Sequence, residues 1–350
     1  MNSSQATRAA RALRTVAAAM ATSPPAALAL TALERALTDR PGTLAVLTYH
    51  RVGARDGSCG YPGLVSATPD EFERQVALLA RRFSPVSVDD VLEVARARAP
   101  LPRRAVLVTF DDAYVDFESV AWPVLRAHGV PAVVFVPTGF PDSGAAFWWD
   151  RLYHALRTTR RSTLELEPGR RLAVGGPAAD GAFRALRPVL KDLEHGALLD
   201  RVAAIEGELG GDGATSSVLG WDRLVALRAA GVSLGAHSIS HPLLTRVPPR
   251  AAIDEIQQSM ADLQARTGAA DPVFAYPSGA HDAGVVTAAM AAGVEVAFTT
   301  TSGVNDVRAT DWLRVRRFNV GRGGLAAMRI AMLRGAGRAS RTGGGPDRHS

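Results

Sequence analysis

Two short stretches hold the residue types that could do chemistry. The first is Thr109-Phe-Asp-Asp112, where two acids follow an apolar run. The second, far downstream, is His237-Ser-Ile-Ser-His241. Adjacent carboxylates repel, and a cation is the simplest means of keeping both ionised. Two neutral imidazoles and one carboxylate make a three-ligand site for Zn²⁺ or a similar ion, with a position left for water. On a helix His237 and His241 would share a face. With a strand before them and Pro242 behind, a tight turn would converge them equally well. Each stretch alone has a plainer explanation. An Asp at a strand end can cap the next helix, and one histidine can cap a turn while the other meets water. The combination points to a metal.

The elements that must position these residues read as alternating strands and helices. Val106–Phe110 is an uninterrupted apolar and β-branched run, the pattern of a buried strand. Its carboxyl end is where α/β folds place ligands. Thr43–Tyr49 reads as the first strand and ends at His50-Arg51. Thr68-Pro-Asp-Glu71 opens a helix with a capping box, and Phe72, Val76, Leu79 and Phe83 follow at helical spacing. Val86–Val88 suggests a short strand and Asp89–Ala97 a helix. Helix Val120–His128 is stopped by Gly129, and strand Ala132–Val136 follows. This βαβ rhythm implies a parallel sheet covered by helices.

Residues 139–217 interrupt the rhythm. Phe147–Tyr153 opens a helix, Arg157–Asp180 is turn-rich with a hairpin pattern, 181–208 reads helical and Leu209–Ser217 is a Gly-rich loop. The stretch is either an insertion that shapes a substrate groove or a small packing subdomain. The rhythm resumes with helix Trp221–Ala230, strand Val232–Ala236 and helix Ala251–Arg266. Strand Val273–Tyr276, helix Ala283–Ala292, strands Glu295–Thr299 and Leu313–Phe318, and a basic helix Leu325–Leu333 complete it. The reading divides the chain into a peripheral segment 1–40, a catalytic unit 41–321 and a C-terminal helix and Gly/Arg/Ser-rich tail 322–350.

At 350 residues the chain can bury one large α/β core or two smaller ones. The formal net charge is +6, spread through pairs such as Arg103-Arg104, Arg160-Arg161, Arg170-Arg171 and Arg316-Arg317. No basic run is long or interleaved with aromatics, which argues against nucleic acid. The balance fits an acidic polymer or peripheral association with an anionic membrane. Cys59 is the only cysteine, so no intrachain disulfide forms. Arg8, Arg11 and Arg14 precede the Ala-rich Thr15–Thr22, then Pro24-Pro25, a poor signal peptide. No segment reaches the roughly 20 apolar residues of a membrane span. A cytoplasmic protein is expected, with its oligomeric state unspecified.

Together with Phe274-Ala-Tyr-Pro-Ser-Gly279, the two chemical stretches resemble the motifs of the polysaccharide deacetylases with the NodB-homology fold, carbohydrate esterase family 4. The resemblance is colinear from about Thr43 to Val320. It implies a distorted (β/α)₇ barrel, here with a helical and loop insertion, that hydrolyses N-acetyl or sometimes O-acetyl groups on sugars. It implies that Asp112, His237 and His241 hold a divalent metal, usually Zn²⁺, with Co²⁺ or Ni²⁺ as alternatives. Asp111 would be the general base and Ser238 would orient the histidine loop. The physics agrees: a bound metal lowers the pKa of water from 15.7 toward about 7, and a carboxylate off the metal can take the proton. Neighbouring strand residues point opposite ways, which separates Asp111 from Asp112.

The chain also departs from the family pattern. Where Arg-x-Pro-Tyr/Phe is usual stand Ala275, Tyr276, Pro277 and Ser278, so the arginine that pairs with the catalytic Asp is absent. Arg317, at the end of the last strand, is the candidate substitute; a surface arginine is the plainer reading. Tyr276, Pro277 and Ser278 are expected at the substrate, with the Ser278 N–H as an oxyanion donor. The Leu-x-His motif is missing too, which makes His50 the candidate general acid. A subgroup acting on poly-N-acetylglucosamine resembles this Tyr-His pattern. His281 could touch substrate, though a solvated loop histidine is the plainer reading, and Trp148, Trp149 and Asp150 could line a sugar-stacking wall or pack the insertion. The expected function is metal-dependent deacetylation of an N-acetylated polysaccharide or amino-sugar glycoconjugate. The rivals are a non-sugar C–N hydrolase and a carbohydrate-binding protein that kept the metal but lost the reaction.

Overall fold

The computed structural model describes Asp39 and residues 41–339, apart from positions 168, 211, 212 and 215. The segment expected to be peripheral therefore lies outside the described residues, except for Asp39, as does the tail beyond Ala339. Seven parallel strands form the wall: β1 (Thr43–Tyr49), β2 (Ala105–Phe110), β3 (Ala132–Val136), β4 (Ser233–Ala236), β5 (Val273–Ala275), β6 (Val296–Phe298) and β7 (Phe318–Asn319). They pair in the order β6-β5-β4-β3-β2-β1, and β7 lies along the far side of β1. Val315 bridges to Phe298 of β6, while Phe318 and Asn319 pair with Leu47 and Thr48 of β1. Residues 315–319 thus close the ring, and the chain forms the distorted (β/α)₇ barrel expected.

Alternation along each strand builds two cores. Leu44, Val46, Leu107, Val133, Phe135, Val273 and Val296 pack with one another inside the ring. Their neighbours Leu47, Val106, Val108, Phe110, Val134, Val136, Leu234 and Phe274 pack outward against the helices. A period of two assigns residues to opposite faces. Bulk inside the ring is compensated locally. A Cβ at Gly235 would sit 2.5 Å from the Phe135 ring and 2.8 Å from Val273, so only glycine fits there. Helix Pro69–Arg82 starts at the capping box on Thr68 and Glu71 and buries Phe72, Val76 and Leu79.

Several expected elements have other bounds in the structure. Helix Val88–Ala95 begins one residue earlier than Asp89, because Ser87 and Asp90 form a capping box, and the short strand is Ser84–Pro85. Leu313–Phe318 is not one strand. The Asp311 carboxylate accepts from Leu313 N at 3.0 Å and winds Trp312–Arg314 into a 3₁₀ turn, leaving only Phe318–Asn319 to pair regularly. A two-residue antiparallel strand, Asn305–Asp306, against the start of β1 has no periodic signal at that length.

The break in the rhythm is built from helix Trp148–Thr158, the hairpin Thr163–Glu167 with Arg170–Ala173, and helices Ala179–Lys191 and His195–Leu209. These share a core of their own around Phe147, Leu152, Leu156, Phe183 and Ile205. No helix of the described residues is long and apolar enough to cross a membrane.

Candidate active site

The carboxyl ends of the parallel strands meet at one rim, and most of the residues singled out above gather there. His50 follows β1, Asp111 and Asp112 follow β2, and His237 follows β4. With Ser278 they line a cleft of about 260 Å³, walled by Tyr61, Trp148, Trp149 and Phe183 and edged by Arg187 and Lys191. The backbone is forced at this rim. Asp112, Ala113, Ser238, His241 and Ser278 all have φ between 51° and 73° without being glycine. Such conformations cost energy and cluster where function fixes geometry.

Asp111 continues the inward row of Leu107 and Thr109, and its N–H still pairs with Tyr49 O at 2.9 Å. The positive φ at Asp112, 73°, swings that carboxylate the other way, toward the histidines. Asp112 Oδ1 lies 3.6 Å from His237 Nε2 and 3.4 Å from His241 Nε2. All three ligand atoms fall within 4.8 Å of one another, and all three residues are buried. His237 Nδ1 is 2.6 Å from Ala275 O. A carbonyl can only accept, so Nδ1 carries the proton and Nε2 presents a lone pair. The loop is held from behind. Ser238 Oγ accepts from His241 N at 3.1 Å, and the Glu255 carboxylate accepts from Ile239 N at 2.7 Å and Ser240 N at 2.9 Å.

The electrostatics of the triad suit a cation. Burial, then Asp111 and Asp150, push Asp112 well above the usual carboxylate range. Burial lowers both imidazoles, and His237 lowers His241 further. Asp112 Oδ1 has no hydrogen-bond partner. Asp112 Oδ1 and the His237 Nε2 lone pair therefore face a buried space that they share with His241 Nε2, an arrangement that a positive ion would complete. The residues fit a divalent metal by number, type and the fixed tautomer of His237.

Asp111 is a different case. Arg317 NH1 and NH2 donate to its two oxygens at 2.7 and 2.8 Å, and the pair is almost wholly buried. Arg317 also donates to Thr299 O and Thr109 Oγ1. Burial raises the Asp111 pKa, but Arg317 and then His237 outweigh it and leave the group at about 2. The fork uses two of roughly four lone-pair positions, so a carboxylate held ionised still has acceptor capacity toward the cleft. Arg317→Ala is expected to destabilise the protein by about 3–5 kcal/mol, because it strands a buried carboxylate. Arg317→Lys, which keeps the charge but loses the fork, falls between. Urea unfolding checks both, and an Ala variant as stable as wild type would contradict the pairing.

Burial lowers His50 to about 4 against the pull of Asp111, so the imidazole is neutral near pH 7. Tyr276 does not reach the cleft. It is fully buried, its hydroxyl donates to Leu313 O at 3.0 Å and its ring stacks on His281. His281 itself turns back to Gly279 O. Pro277 is buried behind Ser278. Trp149 stands edge-on to His241 with centroids 4.8 Å apart. Its Nε1 donates to Tyr114 OH at 2.8 Å, which donates to Asp150 Oδ2 at 2.9 Å. Asp150 is therefore structural rather than part of the cleft wall. Lys191, Arg187 and Glu255 went unseen in sequence, because helical periodicity does not say which remote surface a polar position faces.

Residues 98–297 match the sequence profile of the family described as polysaccharide deacetylase. The chain belongs to the polysaccharide deacetylase family. Poly-β-1,6-N-acetyl-D-glucosamine N-deacetylase of Escherichia coli strain K12 is 42% identical over 57 residues, which are 16% of this chain and 8% of that protein. The chain thus matches only a small part of that relative. Among solved structures, Streptococcus pyogenes deacetylase PplD in complex with acetate superposes with a TM-score of 0.58 at 17% identity, covering 85% of this chain and 99% of that one. IcaB from Ammonifex degensii gives 0.53 at 19% identity, over 83% and 96%. At those identities the likeness shows the fold. Within it, this family member lacks an arginine at the position before Tyr276, and Arg317 reaches the same acid from the closing wall of the barrel.

Proposed function

We propose that the protein is a metal-dependent N-deacetylase acting on a polymer of β-linked N-acetylglucosamine, with Asp112, His237 and His241 as ligands of Zn²⁺ and Asp111 as the base. The observation that carries this reading is the division of labour between neighbouring acids. Asp112 faces the two imidazole Nε2 atoms, while Asp111, locked by Arg317, stays off the triad and ionised. A binding-only protein has no use for the second acid. The local likeness to a poly-β-1,6-N-acetyl-D-glucosamine N-deacetylase supports the sugar.

The metal, when bound, makes water acidic enough to attack at neutral pH and polarises the acetamido carbonyl. The chain's residues do the rest. Trp148, Trp149, Phe183 and Tyr61 offer an apolar wall on which a sugar ring stacks. Asp111 accepts the proton of the attacking water on lone pairs that Arg317 leaves open. The Arg317 fork favours the ionised form of Asp111, so Asp111 passes the proton on to the nitrogen as the C–N bond breaks. The C–N electron pair leaves with the nitrogen, and the products are acetate and a free amine. Burial favours the neutral form of His50, whose ring keeps a single N–H; in place of the general-acid role expected for it, we place it as a hydrogen-bonding partner of the substrate. His50→Ala is expected to lower turnover about tenfold, the worth of one hydrogen bond, and to leave metal content unchanged. Loss of metal in that variant would instead make His50 a ligand.

Acetate release tests the reading. Oligomers of β-1,6-linked N-acetylglucosamine should release acetate faster than β-1,4-linked oligomers or O-acetylated sugars. Preference for an O-acetyl ester would overturn the N-deacetylase assignment. Cleavage of non-sugar amides alone would move the chain to the other hydrolases of this fold.

A further inference from the structure

The helix Ala179–Lys191 ends at the mouth of the cleft, and its last residue crosses it. Lys191 Nζ donates to Ser278 Oγ at 2.7 Å, joining the insertion to the loop after β5. Lys191 lines the cleft together with Asp111, Asp112, His237 and His241, and its charge acts on both Asp112 and His241. It is half-buried, and among the described residues it pairs with no carboxylate. A partly desolvated ammonium held by a single hydroxyl is a charge awaiting a partner. An ammonium has three donors, and Ser278 uses one. Ser278 in turn is fixed by its positive φ of 55° and by Thr300, whose hydroxyl donates to Ser278 O at 3.2 Å. The seat is therefore rigid, and it lies on the side of the cleft where the Ser278 N–H is expected to meet the acetamido oxygen.

We propose that Lys191 is a catalytic residue contributed by the insertion, whose ammonium stabilises the negative charge that develops on the acetamido oxygen. This deepens, and rests on, the deacetylase reading. When water attacks the carbonyl carbon, a C–O bond forms and the carbonyl π pair moves onto the oxygen. The oxygen carries a full negative charge until the C–N bond breaks and that pair returns. A cation preorganised beside it lowers the barrier, whereas it does little for the neutral substrate. The insertion then completes the active site rather than only enclosing it. It supplies a charge at Ser278, where the family's arginine motif has lapsed. The charged groups that face Lys191 are Arg187 on its own helix and Asp112 across the rim.

Two measurements test this. The first is steady-state deacetylation by Zn²⁺-loaded protein. Lys191→Met, similar in length and uncharged, should lose about 100-fold in kcat, the effect of removing one oxyanion donor, with KM within about threefold and metal content unchanged. Lys191→Arg should recover at least tenfold of that loss. A Met variant with wild-type kcat, or an Arg variant no better than Met, would overturn the proposal. The second is calorimetric binding of acetate, the anionic product, to both metal-free and Zn²⁺-loaded protein. Lys191→Met should weaken it about tenfold in both, and unchanged affinity would overturn the proposal. If wild type deacetylates no sugar, the deacetylase reading fails by itself, and acetate binding still decides whether Lys191 receives an anion.

Discussion

Asp111→Asn is expected to bind metal as wild type does and to lose at least 1,000-fold in kcat. The amide is close in shape to the carboxylate, so Trp148, Trp149 and the Asp112, His237, His241 triad keep their places. What it cannot do is take a proton. A positioned base contributes 10²–10⁴-fold, and here the same group also returns the proton to nitrogen, so one substitution removes both transfers. Arg317 adds to the damage. Its NH1 and NH2 donate to the two Asp111 oxygens at 2.7 and 2.8 Å, and an Asn presents one of them with an NH₂ donor. A buried donor left facing a donor costs about 1–3 kcal/mol. The variant should therefore unfold at lower urea concentration while still containing metal. Near-wild-type turnover would remove Asp111 from the mechanism.

Asp112→Asn should lose the metal, and with it activity to a similar depth. Its effect on stability has the opposite sign from the usual ligand mutation, and this separates a metal site from an ordinary buried cluster. In metal-free protein Asp112 is a buried acid whose Oδ1 has no partner and whose ionised form is opposed by burial, Asp111 and Asp150. An amide there carries no charge to desolvate, so metal-free Asp112→Asn should be at least as stable as metal-free wild type. Added Zn²⁺ should then separate them. An ion at 100 times its dissociation constant stabilises the wild type by about 2.7 kcal/mol and the variant scarcely at all. Thermal unfolding of both proteins with and without Zn²⁺ gives the four values needed. Equal stabilisation by Zn²⁺ would mean that the ion binds elsewhere.

Much of the fold was legible because the barrel strands are continuous apolar runs ending in polar residues. Val106–Phe110 into Asp111-Asp112 is the clearest, and the Thr68 and Glu71 capping box fixed its helix to the residue. The closing wall was not legible. Leu313–Phe318 has a strand's composition, but the Asp311 side chain diverts its first half into a 3₁₀ turn, a local hydrogen bond that outcompetes the ladder. At the site, the residues on strand ends and in the histidine loop converge at one rim because a parallel barrel points every strand end the same way. Tyr276 illustrates the limit. The Tyr-Pro-Ser order suggested a substrate contact, but pleating sends Tyr276 outward to Leu313 and leaves Ser278 at the cleft. Lys191 lies further beyond reach. Its helix is legible as a helix, but which cleft that helix overhangs is decided by a core that the insertion forms with itself.

In the proposed reaction one buried ion held by Asp112, His237 and His241 supports hydrolysis through Asp111. The most direct measurement is acetate release from N-acetylglucosamine oligomers by protein stripped with a chelator, before and after Zn²⁺ is returned. Activity should vanish on stripping and come back with about one ion per chain. Acetate release that survives stripping, or an ion that binds at the triad without restoring it in wild type, would contradict the account.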